Sequence, residues 1–187
     1  IPSYRERENI EKLLNKLFSL GRNLEIRVVD DGNDGTDAVV RSMQQTRPGL
    51  HLIKREGKNG RGTAVVEGLR FGLARDFAYM VEMDADFSHD PDALSELLDH
   101  ANQNTVVIGS RYIKGSQIIG WPLRRRVFSK LANFYADAVL GLGINDYTNG
   151  YRVYPRAKIQ NMDFGVTRSK GFIVLSEIAC EMARLGA

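Results

Sequence analysis

Cysteine and tryptophan each occur once in this chain of 187 residues, and histidine three times. The lone thiol, Cys180, excludes a disulfide within the chain and suits a reducing compartment. His51, His89 and His100 give neither zinc-ligand spacing nor a Ser/His/Asp or Cys/His catalytic set. No apolar run approaches the length that crosses a bilayer, and no signal-peptide pattern is visible, so membrane contact by these residues is expected to be peripheral. Lys and Arg outnumber Asp and Glu only slightly, 26 to 23, and a net charge of +3 is too small to imply nucleic-acid binding. What remains is ordinary for a soluble globular protein: 43% hydrophobic, 26% charged, and long enough for one domain with a proper core.

Hydrophobic periodicity divides that domain. Ile10, Leu13, Leu14, Leu17 and Phe18 lie on one face of a helix spanning Glu6 to Leu20. Short strands are expected at Glu25 to Asp30, Leu50 to Lys54, Phe77 to Met83 and Thr105 to Gly109. Helices follow at Asp34-Gly35-Thr36 (carrying Val39, Val40 and Met43), Thr63 to Arg75, and Pro91 to about Ala101. Strands alternating with helices predict an α/β fold with a mostly parallel, layered sheet. After Ser110 the pattern changes to an irregular loop from Arg111 to Leu123, holding Trp121. An amphipathic helix then runs from Arg124 to about Leu140, with a turn and short strand at Asp146 to Arg156 and a last helix at Phe172 to Leu185. Both ends read as truncated: Ile1-Pro2 looks like the tail of a strand, and Arg184-Leu185-Gly186-Ala187 like a capped helix end.

The most informative stretch is Glu82-Met83-Asp84-Ala85-Asp86-Phe87-Ser88-His89. An apolar strand ends there in two carboxylates spaced i, i+2, at the edge where open α/β sheets bind ligands. Such oxygens suit a hard divalent cation, which in turn holds a diphosphate. Asp90-Pro91-Asp92 repeats the spacing but reads as a helix start. Asp30 and Asp31 end another strand, so four carboxylates are expected to converge on one cleft. Asp30-Asp31-Gly32 is equally readable as a turn. The loop Gly57-Lys58-Asn59-Gly60-Arg61-Gly62 is either an anion-approaching backbone or a plain strand-to-helix connection. Arg124, Arg125 and Arg126 sit at a helix start, where the dipole disfavours cations; they suit either a phosphate, with Arg111 joining them, or a solvated face. The stripe Val127, Phe128, Leu131, Phe134, Tyr135, Ala138, Val139 and Leu142 reads first as core, and otherwise, with the arginines, as a membrane-surface face.

Taken in order, further segments carry a resemblance. They are Ile1-Pro2-Ser3-Tyr4 with Glu6 to Ile10, Val28-Val29-Asp30-Asp31-Gly32, Asp34-Gly35-Thr36, and Lys58 to Gly62. After Glu82 to Asp86 with Ser88-His89 come Ile108 to Tyr112, Gly120 to Arg126 with Ser129 and Asn133, and Asp146, Thr148, Gly150, Tyr151 and Arg152. The chain resembles the family 2 glycosyltransferases of GT-A (Rossmann-like) fold, and among them the polyprenol- or dolichol-phosphate mannose synthases.

The resemblance implies one GT-A domain over residues 1–187, with a nucleotide-binding part, 1–110, and an acceptor-binding part, 111–187. It implies that Pro2, Tyr4, Glu6 and Asp31 line a guanosine pocket that Asp30 supports, with Lys58 and Asp84 also on the nucleotide-sugar. Asp84 and Asp86 would hold Mg²⁺ or Mn²⁺, with Ser88 able to add a ligand. Arg111 with Arg124, Arg125 and Arg126, assisted by Ser129, would bind the acceptor phosphate; Asp86, Arg111 and Arg125 are the residues expected to carry catalysis. The implied reaction is inverting transfer of mannose from GDP-mannose to polyprenyl (dolichyl) phosphate, at the cytoplasmic side of a membrane, with a possible membrane-anchor domain or subunit. A related transferase using UDP-glucose or another donor, and a silent nucleotide-binding membrane-docking module, are the alternatives. Arg5 stands where the family usually has Asn, the loop after Gly32 is one residue short, and Ile173 to Ser176 replaces an aromatic-Gln stretch.

Overall fold

A computed structural model describes residues 1–116, 118 and 121–187. Gly120, which opens the Gly120–Arg126 run, lies outside the described residues. Two three-stranded sheets carry the fold. In the first, β1 (Pro2–Ser3), β2 (Ile26–Asp30) and β3 (Leu50–Lys54) run parallel in the order β1-β2-β3, and Val29 pairs with both Pro2 and Ile53. Helices α1 (Ile10–Phe18) and α2 (Thr36–Gln44) connect these strands, as parallel neighbours require. Ile10, Leu13, Leu14 and Leu17 of α1 are buried with Val28, Val40 and Leu50, so the apolar stripe read from the sequence is the core-facing one.

The chain then passes through α3 (Arg61–Leu73) to β4 (Tyr79–Glu82), and through α4 (Ala93–Asp99) to β5 (Val107–Ile108). The second sheet has the order β4-β6-β5, with β6 (Arg152–Pro155) antiparallel to both neighbours. The α/β class with a parallel sheet flanked by helices is as expected; the reversed central strand is the addition. All four residues of β6 are buried. Arg152 is tolerated there because its guanidinium donates to the carbonyls of Asn149 at 2.8 Å, Leu175 at 2.7 Å and Tyr147 at 2.8 Å. Between the two sheets lies a cavity of about 500 Å³, lined in part by Pro2, Ile26, Leu69 and Met80.

After α6 (Arg156–Ile159), the final helix α7 (Val174–Arg184) buries Val174, Leu175, Ile178 and Met182 against Val65, Leu69 and Tyr154. Its Glu181 accepts two bonds from Arg184, at 2.8 and 2.7 Å, and one from the Asp163 amide at 3.0 Å. The Arg184 guanidinium first, and that amide second, hold the Glu181 carboxyl down at about 2 from its usual 4.5. The folded value lies below the unfolded one, so the contribution is complete above pH 4.5 and fades as pH falls towards about 2. Glu181→Gln is therefore expected to flatten the decline of melting temperature across that acid range, read by thermal melts at stepped pH.

Helix α5 (Leu123–Leu140) departs from the core reading. Its only fully buried residue is Asn133, whereas Phe128, Phe134 and Tyr135 are 74%, 75% and 71% exposed. Polar bonds hold it instead: Asn133 accepts from the Tyr147 amide at 2.7 Å, and the Tyr147 hydroxyl donates to Asp137 at 2.7 Å. An apolar stripe records amphipathicity without saying what covers it. Among the described residues no helix is long and apolar enough to cross a membrane.

Candidate active site

The carboxyl ends of β1, β2 and β4 form one acidic edge. Burial raises the Glu6 carboxyl, Asn9 opposes that through a 2.9 Å bond, and Asp86, Asp34 and Asp84 push it higher still. Glu6 thus lies within electrostatic reach of the acidic pair that follows β4. Asp30 and Asp31 sit at the same edge, but their oxygens are engaged by the protein. Fully buried Asp30 accepts from Ser3 at 2.8 Å, the Gly32 amide at 3.1 Å and Lys54 at 2.8 Å. Asp31 accepts a two-pronged bond from Arg55, at 2.6 and 2.9 Å, and the amides of Asn59 at 2.8 Å and Gly60 at 3.0 Å.

That arrangement changes the reading of the glycine-rich loop. The Asn59 and Gly60 amides belong to Asp31, and the Gly62 amide donates to the Lys170 carbonyl at 2.9 Å. A Cβ on Gly60 would sit 2.6 Å from the Lys170 oxygen, and one on Gly62 would run into the Ser169 oxygen. These two glycines admit the segment before α7 rather than an anion. Lys58 points elsewhere, its ammonium 4.5 Å from the centre of the exposed Tyr4 ring, with Arg5 at 5.4 Å. Pro2 lines the cavity between the sheets, with Glu82 also in its wall.

Asp84 and Asp86 differ in setting. One oxygen of Asp84 takes Arg61 Nε at 3.0 Å and Nη2 at 2.8 Å, and Arg61 also pairs with buried Glu82 at 2.6 Å. Behind it, His89 Nδ1 accepts the Asp84 amide at 3.0 Å while the imidazole stacks on Tyr151, 5.0 Å between centroids. Burial lowers the His89 pKa against the pull of Asp84. His89 therefore props Asp84 from within. Asp86 is exposed; its oxygen accepts the Ser88 amide at 3.0 Å. Burial pushes its carboxyl up, but the bonds from the Ser88 hydroxyl and amide outweigh that and keep it ionised. Phe87, between them, adopts φ +60°, the left-handed turn that brings Ser88 back to Asp86.

Among the described residues no three His, Cys, Asp or Glu side chains stand together as a closed metal cage. Two carboxylates at an open edge fit a cation of the Mg²⁺ or Mn²⁺ kind that takes its remaining oxygens from phosphate and water.

On the other side of the cleft, Arg111 grips buried Asp146 through Nε at 2.8 Å and Nη2 at 2.7 Å, and Thr148 at 2.7 Å. Burial lowers its pKa, but Asp146 foremost, with Tyr112 and Asp84, raises it further, so Arg111 stays charged within electrostatic reach of Asp84. The three consecutive arginines separate. Arg126 donates to the carbonyls of Trp121 at 3.2 Å and Ile118 at 2.6 Å, Arg125 lies over the Trp121 ring at 3.9 Å, and Arg124 is exposed. Ser129 accepts the Tyr112 hydroxyl at 2.6 Å.

The sequence that folds in this way matches a known family model. Glycosyl transferase family 2 matches residues 1–162. The chain belongs to that family.

Two curated relatives agree. The polyprenol monophosphomannose synthase of Mycolicibacterium smegmatis is 42% identical over 175 residues, which cover 92% of this chain and 66% of that protein. The undecaprenyl-phosphate mannosyltransferase of Micrococcus luteus is 35% identical over 187 residues, covering 100% of this chain and 77% of that protein. In fold, the chain is similar to a mannosyltransferase from Pyrobaculum calidifontis solved in complex with GDP-Man and Mn²⁺. The TM-score is 0.59 at 19% identity, over 99% of this chain and 51% of that one.

Within this family 2 domain, sequence reasoning named Arg61 in the glycine-rich loop and Asp146 among the residues of the resemblance, but not as the partners of Asp84 and Arg111. Arg61 carried a signal of the kind noted for Arg124 to Arg126, a cation at a helix start. The pairing of Asp146 with Arg111 had no local signal, because the two lie 35 positions apart.

Proposed function

We propose that this domain carries out inverting, metal-dependent transfer of mannose from GDP-mannose to a polyprenyl (dolichyl) phosphate, working from the cytoplasmic face of a membrane. The observation that supports the reading is Arg111 within electrostatic reach of Asp84, its guanidinium sharing the Trp121 ring with that of Arg125. The activities for which the two curated relatives are named support the sugar and the acceptor class, and the GDP-Man and Mn²⁺ in the third protein support the donor and the cofactor.

In the reaction, an acceptor phosphate oxygen forms a bond to the anomeric carbon as the bond to the departing diphosphate breaks, and that electron pair leaves with GDP. The attacking oxygen is already anionic, so the site needs no strong general base. Asp84, fixed by Arg61 and propped by His89, and Asp86, steadied by Ser88, would hold Mg²⁺ or Mn²⁺. The bound cation supplies charge stabilisation to the leaving diphosphate. Arg111 and Arg125 hold the attacking phosphate, so the work is positioning and electrostatics. Tyr4 and Glu6 would take the nucleotide, with Lys58 above the Tyr4 ring.

The exposed face of α5, with Phe128, Leu131, Phe134 and Tyr135 behind the arginines, suits peripheral contact with the membrane that holds the lipid.

Transfer of labelled mannose from GDP-mannose to a short polyprenyl phosphate with Mn²⁺, UDP-glucose run in parallel, tests the reading. Labelled lipid from GDP-mannose that disappears with a chelator is expected. Labelled lipid from UDP-glucose alone would move the domain to the sister transferases, and nucleotide binding with no product from either donor would overturn the acceptor assignment.

A further inference from the structure

We infer that Trp121 is a positioning residue that gathers Arg111 and Arg125 into one clamp for a phosphate monoester. The inference rests on the acceptor class proposed above and extends it to a residue that contributes no hydrogen bond to the anion.

Two guanidinium groups meet one indole. The Arg125 carbon lies 3.9 Å from the Trp121 ring centre and the Arg111 carbon 4.9 Å from it. Cations over an aromatic face are attracted by its quadrupole, and tryptophan offers the strongest face. The attraction holds both cations at one ring against their mutual repulsion. Their other partners are unequal. Arg111 is anchored from behind by Asp146 and Thr148 through Nε and Nη2, and Nη1 has no protein partner among the described residues. Arg125 has neither a salt bridge nor a hydrogen bond among the described side chains, so its orientation depends on the ring. A cation stacked on an aromatic face, with its donors unspent, is arranged for an anion that is not part of the protein.

The next arginine holds two carbonyls, one of them that of Trp121 itself. Arg126 donates to the Trp121 carbonyl at 3.2 Å and to the Ile118 carbonyl at 2.6 Å. The three neighbouring arginines thus do three jobs: Arg126 holds those carbonyls, Arg125 stacks on the indole, and Arg124 stays in solvent. The alternative, a tryptophan that merely fills space, fits poorly. Trp121 is only partly buried, at the foot of a helix whose large apolar side chains point into solvent, and both core clusters form without it.

The chain has one tryptophan, so its emission reports this position alone. Titration with a short-chain polyprenyl phosphate is expected to change that emission saturably, and inorganic phosphate to do so at higher concentration. A lipid response with none to inorganic phosphate would show that the chain, and not the phosphate, is sensed, and would overturn the inference. In transfer assays, Trp121→Ala is expected to raise the acceptor KM about tenfold, with the donor KM and kcat within about twofold, the pattern of lost binding. Trp121→Phe, which keeps a ring face, is expected to recover most of that loss. A Trp121→Ala protein with unchanged acceptor KM, or a Trp121→Phe protein no better than Trp121→Ala, would overturn it. Should the wild-type protein form no lipid-linked product, the proposed function falls. The phosphate titration then still decides this inference: a saturable response lost in Arg125→Ala supports it, and flat emission sinks it.

Discussion

Asp86→Ala is expected to lower mannosyl transfer by about 10²–10³-fold, the range seen when one preorganised electrostatic group is removed, while the melting temperature moves little. The two halves of that expectation have separate causes. Asp86 is exposed and, among the described residues, hydrogen-bonded only to Ser88, so its removal opens no cavity and strands no buried charge. Asp84 is not equivalent: it holds Arg61, and Asp84→Ala would leave that guanidinium with Glu82 alone. Asp86→Asn supplies the control. It keeps an oxygen for the Ser88 amide, and hence the turn at Phe87, but loses the charge. Equal loss in the two variants assigns the effect to charge; activity retained in Asp86→Asn would assign it to the turn. Transfer above a tenth of wild type in Asp86→Ala would remove Asp86 from the machinery.

How much of this was legible in the sequence depends on how far apart the partners lie. The α1 stripe and the placement of Asp84 and Asp86 after an apolar strand are local patterns, and the folded chain keeps them. Gly60 and Gly62 were legible as residues that allow close approach, but not as to what approaches. A phosphate and the carbonyls of Ser169 and Lys170 demand the same absence of a side chain, and those carbonyls lie more than a hundred positions away. Arg124, Arg125 and Arg126 look alike in sequence; only the loop ending at Trp121 tells them apart. Helix α5 shows the same limit, since periodicity fixes one apolar face and leaves its occupant open. The reversal of β6 follows from its docking between β4 and β5, which no run of four residues encodes.

Asp31 gives the second large effect, and it divides two roles. If the carboxylate chiefly contacts a base, Asp31→Ala weakens donor binding and leaves the empty protein as stable as before. The geometry argues for an anchor. Its side chain is 5% exposed and that of Arg55 12%, and it also fastens two amides of the loop that leads into α3. Breaking a buried pair by removing one partner typically costs about 3–5 kcal/mol, and the lower end applies here because Glu67 remains 3.6 Å from Arg55. For a domain of this size that corresponds to a fall in melting temperature of about 10 °C, measured without nucleotide. Replacing Arg55 by leucine in the same protein should return part of the loss, since no buried charge is then stranded. Release of the Asn59 and Gly60 amides also loosens the start of α3, where Arg61 reaches Asp84, so donor affinity falls as a consequence of the lost anchor. An Asp31→Ala protein that melts with the wild type yet binds GDP-mannose poorly would reverse the order of cause, and return Asp31 to the pocket wall.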